Sequence, residues 1–305
     1  MGTMARLHAL RFVARAIGLA AIVAACGLPM MAAAACRGGS QGGRLIFAMP
    51  SGIFEYQIDG GGSKLLLAPV GGGVTIRDPA ISPDGKRIAY IRSKAGAAAE
   101  VWLASRDGSD AHVGYQQRGA GGQASQPVWS DKGHVLVLLT EDGTSELARV
   151  DVATGERVKL LDNVLAFGVS RDGSRIAYAQ SGAPGIPLTL QLASSDGSHL
   201  RTLVGTDQQI LRFDSPRFST DGNTVLFGAP RPPDAAEEIW SVATLGGAPE
   251  GVARVAEGAS SLAPSADSAH VYVASARVLY EVNLRGAPTR TLTDTGVASA
   301  IAWMP

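Results

Sequence analysis

The sequence predicts an all-β fold, a six-bladed β-propeller of four-stranded antiparallel blades closed by its C-terminal strand. Three observations carry this expectation. One phrase recurs at blade-like spacing, a second series of turns divides each repeat, and the two chain ends are complementary parts of one further repeat.

The recurring phrase is an apolar residue, Ser, a turn with Asp or Gly, and a β-rich run. It reads Ile81-Ser82-Pro83-Asp84-Gly85 before Ile88-Ala89-Tyr90, and Trp129-Ser130-Asp131-Lys132-Gly133 before Val135-Leu136-Val137. It returns as Val169-Ser170-Arg171-Asp172-Gly173 before Ile176-Ala177-Tyr178, and as Phe218-Ser219-Thr220-Asp221-Gly222 before Val225-Leu226-Phe227. A worn copy is Pro264-Ser265-Ala266-Asp267-Ser268 before Val271-Tyr272-Val273. Successive copies lie 48, 40, 49 and 46 residues apart, the period of propeller blades.

Asp-Gly tolerates the positive φ of a tight turn and joins two antiparallel strands. A second turn follows later in each repeat, at Asp59-Gly60, Asp107-Gly108, Thr154-Gly155, Asp196-Gly197, Gly246-Gly247 and Arg285-Gly286. Each comes after an alternating segment such as Glu100-Val101-Trp102-Leu103-Ala104. The unit is therefore strand, turn, strand, loop, strand, turn, strand. At the ends, Arg44-Leu45-Ile46-Phe47 starts a repeat that lacks its opening strand, and Ala298 to Trp303 is an opening strand with nothing after it. Trp303 falls in register with Ile81, Trp129, Val169, Phe218 and Pro264. Joining the two ends makes the sixth blade and removes the open edges of a linear array.

The segments PAISPDGKRIAY at 79–90 and EVWLASRDGSDAHV at 100–113 resemble the repeat of TolB-like propellers, and the likeness extends over nearly all of 44–305. That resemblance implies a propeller whose channel mouth docks an envelope lipoprotein. TolB-type proteins also carry an α/β domain before the propeller, for which residues 36–43 leave no room here. Whatever depends on that domain does not carry over, whereas binding through the mouth does. The same repeat serves many roles, so it speaks to fold more than to function.

The remaining features bound location and chemistry. With 46% hydrophobic residues and 38 glycines, the chain suits a packed fold with many turns. Residues 1–35 hold Arg6, Arg11 and Arg15 and no acid, which leaves 24 basic against 27 acidic residues beyond them. No basic tract stands out, which argues against nucleic-acid partners. Three arginines, an apolar run from Ala16 to Cys26, helix-breaking Gly27 and Pro29 and small residues up to Ala35 read as an export signal over 1–35. The apolar run is short for a membrane span. Cleavage near Ala35 is expected, with a lipid anchor at Cys26 or Cys36, or an uncleaved membrane anchor, as alternatives. The expected product is a periplasmic or secreted monomer, with no transmembrane domain and no cofactor, a linker over 36–43 and the propeller over 44–305. Cys26 and Cys36 are the only cysteines, so that product has no intramolecular disulfide.

Catalytic motifs are sparse. Gly38-Gly39-Ser40-Gln41-Gly42 matches Gly-x-Ser-x-Gly but lies in the linker, not between a strand and a helix. His134 and His270 follow first turns and His112 and His199 follow second turns, so they do not converge as metal ligands. Gly85-Lys86 lacks the remaining parts of a phosphate loop. Trp102, Trp129, Trp240 and Trp303 occupy repeat positions suited to packing between blades. What remains is the channel mouth, where the opening strands begin. Aligning the repeats brings Arg77, Asp78, Gln126, Asp214 and Arg217 there as candidate partner-binding residues. Arg217 stands where other blades have Ala80, Val128, Gly168, Ala263 and Ala302, and a long cation there needs a partner such as Asp78 or Asp214. It serves either as a tie between blades or as a contact for a ligand.

The expected function is non-catalytic binding of a protein partner in the cell envelope. The alternative is a calcium-dependent lactonase- or lyase-type enzyme whose oxygen ligands come from Asp78, Asn163, Asp214 and Glu257.

Overall fold

The computed structural model describes residues 43–117, 121–181, 188–208, 210, 212–231, 236–255, 261–275, 278–285, 289–294 and 301–304. The segment expected to direct export, both cysteines and the Gly-x-Ser-x-Gly match lie outside them. Blade 1 holds β1 (Arg44–Met49), β2 (Gly52–Gln57) and β3 (Gly62–Leu67). Blade 2 holds β4 (Val74–Ile81), β5 (Arg87–Lys94), β6 (Glu100–Ser105) and β7 (His112–Gln116). Blade 3 holds β8 (Gln123–Trp129), β9 (His134–Glu141), β10 (Thr144–Asp151) and β11 (Arg157–Asp162). Blade 4 holds β12 (Val164–Val169), β13 (Arg175–Gln180), β14 (Thr189–Ser194) and β15 (Arg201–Val204). Blade 5 holds β16 (Asp214–Phe218), β17 (Thr224–Arg231), β18 (Ala236–Ala243) and β19 (Glu250–Arg254). Blade 6 holds β20 (Ser261–Pro264), β21 (His270–Ala274), β22 (Val278–Asn283) and β23 (Arg290–Asp294). The last strand, β24 (Ile301–Met304), returns to blade 1 and pairs antiparallel with β1, Leu45 opposite Trp303 and Phe47 opposite Ile301. The predicted six-bladed, end-to-end closed architecture is the one observed.

Burial follows from the blades' position. Second strands are packed on both faces, so Ile88-Ala89-Tyr90-Ile91 is buried without alternation. Fourth strands face the rim, and β3 is exposed over its first four residues. The described core divides into six clusters, each shared by two neighbouring blades. Ile91 and Leu103 of blade 2 meet Trp129 and Val137 of blade 3, and Tyr272 of blade 6 meets Leu45, Phe47 and Ile301 of blade 1. No blade buries its apolar faces alone, so the ring is the folding unit.

The repeated Ser-x-Asp-Gly phrase closes a loop wider than a two-residue hairpin. Ser82 N–H donates to the Arg87 carbonyl (2.9 Å), Arg87 N–H donates to Ser82 Oγ (2.9 Å), and Ser82 Oγ–H donates to Asp84 Oδ1 (2.7 Å). Gly85 takes φ +69°. Blades 4 and 5 repeat the arrangement with Ser170 and Asp172, and with Ser219 and Asp221. Serine hydrogen bonds are the leading cause that holds the carboxyls of Asp84, Asp172 and Asp221 below the usual range, Asp172 at about 2. A depressed folded-state pKa stabilises above the unfolded value near 4 and loses that contribution as pH falls towards 2. The triple variant Ser82→Ala, Ser170→Ala, Ser219→Ala is therefore expected to melt a few degrees lower at neutral pH, with the gap narrowing between about pH 4 and pH 2. Melting curves at both ends of that range check it. A gap unchanged with pH would show that the carboxylates contribute nothing through these bonds.

A second tie joins blades at the same end. Arg87 lies 4.6 Å from the ring centroid of Trp129 in the next blade and donates to the Lys132 carbonyl. Arg175 lies 5.3 Å from the Phe218 ring and donates to the Gly222 carbonyl at 2.8 Å. Both join a cation at the start of a second strand to an aromatic ring ending the next opening strand. Trp129 Nε1–H also donates to the Ala80 carbonyl (3.3 Å), consistent with packing. Trp102 sits under Arg92, and Trp240 Nε1–H donates to the Ala229 carbonyl (3.4 Å). The Trp303 side chain lies outside the description.

Candidate functional site

Opening strands do not enter the ring straight. In β4, β8 and β16 the register with the second strand slips between Arg77 and Ala80, Ser125 and Val128, and Asp214 and Arg217. At each slip one non-glycine residue is left-handed: Asp78 (φ 52°), Gln126 (φ 51°) and Ser215 (φ 48°). Each precedes a proline, Pro79, Pro127 or Pro216. A bulge of this kind re-aims one side chain, and left-handed backbone at such residues marks a site held by its surroundings.

What holds them is a set of hydrogen bonds from blade to blade. The Gln126 side-chain oxygen accepts from Phe167 N–H (3.4 Å), Ser215 Oγ from Leu262 N–H (3.0 Å), and Ser261 Oγ from Ile301 N–H (3.2 Å). In each case a polar side chain four residues before the repeat serine caps the amide one position further along the next blade. Where that next position is proline, no amide exists. Blade 2 meets Pro127 in this way, and Asp78 instead accepts from Gln126 N–H (3.3 Å). Blade 4 meets Pro216 and carries Ala166, which has nothing to cap with. There Arg217 spans the junction backwards, its Nη1 donating to the carbonyls of Phe167 (2.8 Å) and Pro216 (2.9 Å).

These residues surround a cavity of about 290 Å3 at the mouth where opening strands begin. Arg77, Asp78, Ser125, Gln126, Ser215, Arg217, Ser261 and Ile301 line it, drawn from five blades. Arg77 pairs with Asp78 and donates through Nη2 to the Ala124 carbonyl (2.7 Å). Burial pulls the Arg217 guanidinium down to about 10, while the Asp78 carboxylate acts in the opposite direction. Among the described residues no carboxylate lies within ion-pair distance of Arg217; its tie to the neighbouring blade runs through carbonyls.

Four of the five candidate residues thus converge, and Asp214 does not. It pairs with Arg212, two residues before it in the chain, and Arg212 also reaches Glu237 (2.9 Å). Desolvation raises the Asp214 carboxyl despite that cation. Of the alternative calcium ligands among the described residues, Asp78 alone lines the cavity. Asn163, at φ 58°, accepts Ser181 N–H through its carbonyl immediately before β12, and Glu257 lies outside the described residues. Among the described residues no three His, Cys, Asp or Glu side chains gather as a cation site. Ser125, Ser215 and Ser261 fall at the same aligned mouth positions in the sequence but are not among its candidate residues. For Ser215 and Ser261 the available signal was a polar residue four positions before the repeat serine.

A second cavity, of about 310 Å3, lies at the opposite end of the opening strands. Ile81, Trp129, Val169, Phe218 and Pro264 line it, the residues immediately before the repeat serines. The axis therefore has one polar mouth and one where these apolar residues sit among Ser82, Ser170, Ser219, Thr220 and Arg171.

Residues 56–183 match the family described as the lipoprotein LpqB β-propeller domain. The crystal structure of TolB from Acinetobacter baumannii aligns over 88% of this chain and 68% of that one, with a TM-score of 0.72 at 18% identity. The chain is a six-bladed β-propeller whose fold is similar to that of TolB. Other propellers share the fold. An oligogalacturonate lyase from Vibrio parahaemolyticus aligns over 80% of this chain and 71% of that one, with a TM-score of 0.56 at 15% identity. An uncharacterised peptidase, YuxL of Bacillus subtilis, is 27% identical over 186 residues, 59% of this chain and 25% of that protein. This chain therefore spans a quarter of that relative's length. TolB-like propellers and propeller enzymes thus share one scaffold, and the function must be argued from the mouth.

Proposed function

We propose that this chain is an exported, non-catalytic binding propeller of the cell envelope that docks a protein partner at its polar mouth. Residues 1–35 would direct export, as their arginines and apolar run suggest. The observation that carries the reading is the polar cavity itself. Four blades bring charged, amide and hydroxyl groups to one point, and the backbone is held there in left-handed conformations that the blade-to-blade bonds maintain. The likeness to TolB and to the LpqB propeller supports an envelope setting. Of the three described ligands of the calcium-dependent reading, Asp78 alone lines this cavity.

A pull-down from envelope extract tests the proposal. Ser125 lines the cavity, and among the described residues its side chain takes part in none of the blade-to-blade bonds named above, so Ser125→Trp plugs the mouth without cutting the ring. The wild-type chain is expected to retain a specific partner. Ser125→Trp is expected to lose it, and so is Arg217→Ala. Capture of no partner, or equal capture by the plugged variant, overturns the reading.

A further inference from the structure

We infer that the polar mouth is a receptor for a carboxylate, gripped by Arg217 and by a rim of hydrogen-bond donors. The inference rests on the mouth being the binding face and names the chemistry it recognises.

The argument is one of donors and acceptors. A hydroxyl has one proton to give and two lone pairs to receive. Ser215 Oγ and Ser261 Oγ each spend a lone pair on an amide of the next blade, so their protons are left to donate. The amide oxygen of Gln126 receives Phe167 N–H, which leaves its NH2 group as a donor. The bonds that close the ring therefore consume acceptors and leave donors at the cavity. Charge follows the same pattern. Arg77 neutralises Asp78, whose Oδ2 also receives Gln126 N–H. Arg217 spends only Nη1, on two carbonyls, which leaves Nε and Nη2 for the cavity it lines. The described lining thus carries two cations and one anion, a net charge of +1. An unpaired guanidinium edge presents two parallel N–H donors, the geometry that receives a carboxylate bidentately. The cavity, about 290 Å3, lies at the lower limit of small-molecule sites. That size admits a short carboxylic acid or one acidic side chain.

The test is titration at constant ionic strength, followed by calorimetry and by thermal shift. The probes are sodium succinate and the capped peptide acetyl-Gly-Glu-Gly-amide, with the Gln peptide as the neutral control. The wild-type protein is expected to bind at least one carboxylate probe and to ignore the Gln peptide. Binding of succinate assigns a free small acid, and binding of the Glu peptide alone assigns an acidic side chain of a partner. Arg217→Lys, which keeps the charge and loses the fork, is expected to weaken binding about tenfold. Ser125→Asp places a carboxylate in the cavity without removing any blade-to-blade bond and is expected to abolish binding with the melting temperature preserved. Binding of neither carboxylate, or equal binding by wild type and Ser125→Asp, overturns the inference. If a partner is still captured through the mouth while both carboxylates fail, the anion assignment falls and the docking proposal stands. If a carboxylate binds while no partner is captured, the reverse holds.

Discussion

Truncation after residue 300, which removes β24, is expected to abolish the cooperative melt of the native protein. Four residues of β24 pair with β1, whose Leu45, Ile46 and Phe47 have no solvent exposure. Ile301 is 3% exposed and belongs to the cluster that joins Tyr272 of blade 6 to Phe47 of blade 1. Its amide also caps Ser261, so removing it reopens the ring at the polar mouth. Losing one buried aliphatic side chain alone costs about 2–5 kcal/mol, a large part of a typical domain's stability of roughly 5–15 kcal/mol. The cost does not stop there, because β1 becomes an unpaired apolar edge with a tendency to associate. Circular dichroism melts with size-exclusion chromatography are the measurement. A truncated chain that stays monomeric and melts at the native temperature would show that the ring is not closed by this strand.

Much of the architecture could be read in the sequence because each blade repeats one local solution. Ser170, Asp172 and Gly173 bond within six residues of one another, so the phrase they form announces its turn wherever it occurs. The second turns are nearly as plain, although in blade 1 the positive φ falls on Gly61, one residue beyond the expected Gly60. The mouth was harder to read, since its bonds run between residues some 40–50 positions apart. Asp214 shows why. It shares a register with Arg77 and Ser125, which both line the cavity, but its carboxylate is engaged by Arg212 instead. Arg77 extends to the Ala124 carbonyl, whereas the short Asp214 stops at Arg212. Arg217 was marked as an anomaly among small residues, and it fills the junction where Pro216 removes an amide and Ala166 removes a cap. That compensation becomes visible only once blades 4 and 5 are known to be neighbours.

The same junction bears the second large effect. Gly168→Ala is expected to lower the melting temperature by about 6 °C, from an overpacking cost of about 3 kcal/mol. A Cβ at Gly168 would lie 2.1 Å from the Pro216 carbonyl oxygen and 3.3 Å from the Arg217 Cα. Both obstacles are backbone, so no side chain can rotate away, and blades 4 and 5 must part. Arg217 resists that movement, since its Nη1 bonds the Phe167 carbonyl next to Gly168 and the Pro216 carbonyl that the new methyl strikes. Relief of the clash therefore also displaces the guanidinium from the polar mouth, and binding there should weaken together with stability. Gly62→Ala is the control, because its backbone is not left-handed and an added Cβ meets nothing within 4 Å. It should melt with the wild type or slightly above it. If Gly168→Ala instead melts with the control, the opening strands of blades 4 and 5 do not approach this closely. The Arg217 tie that depends on their approach would then be misplaced.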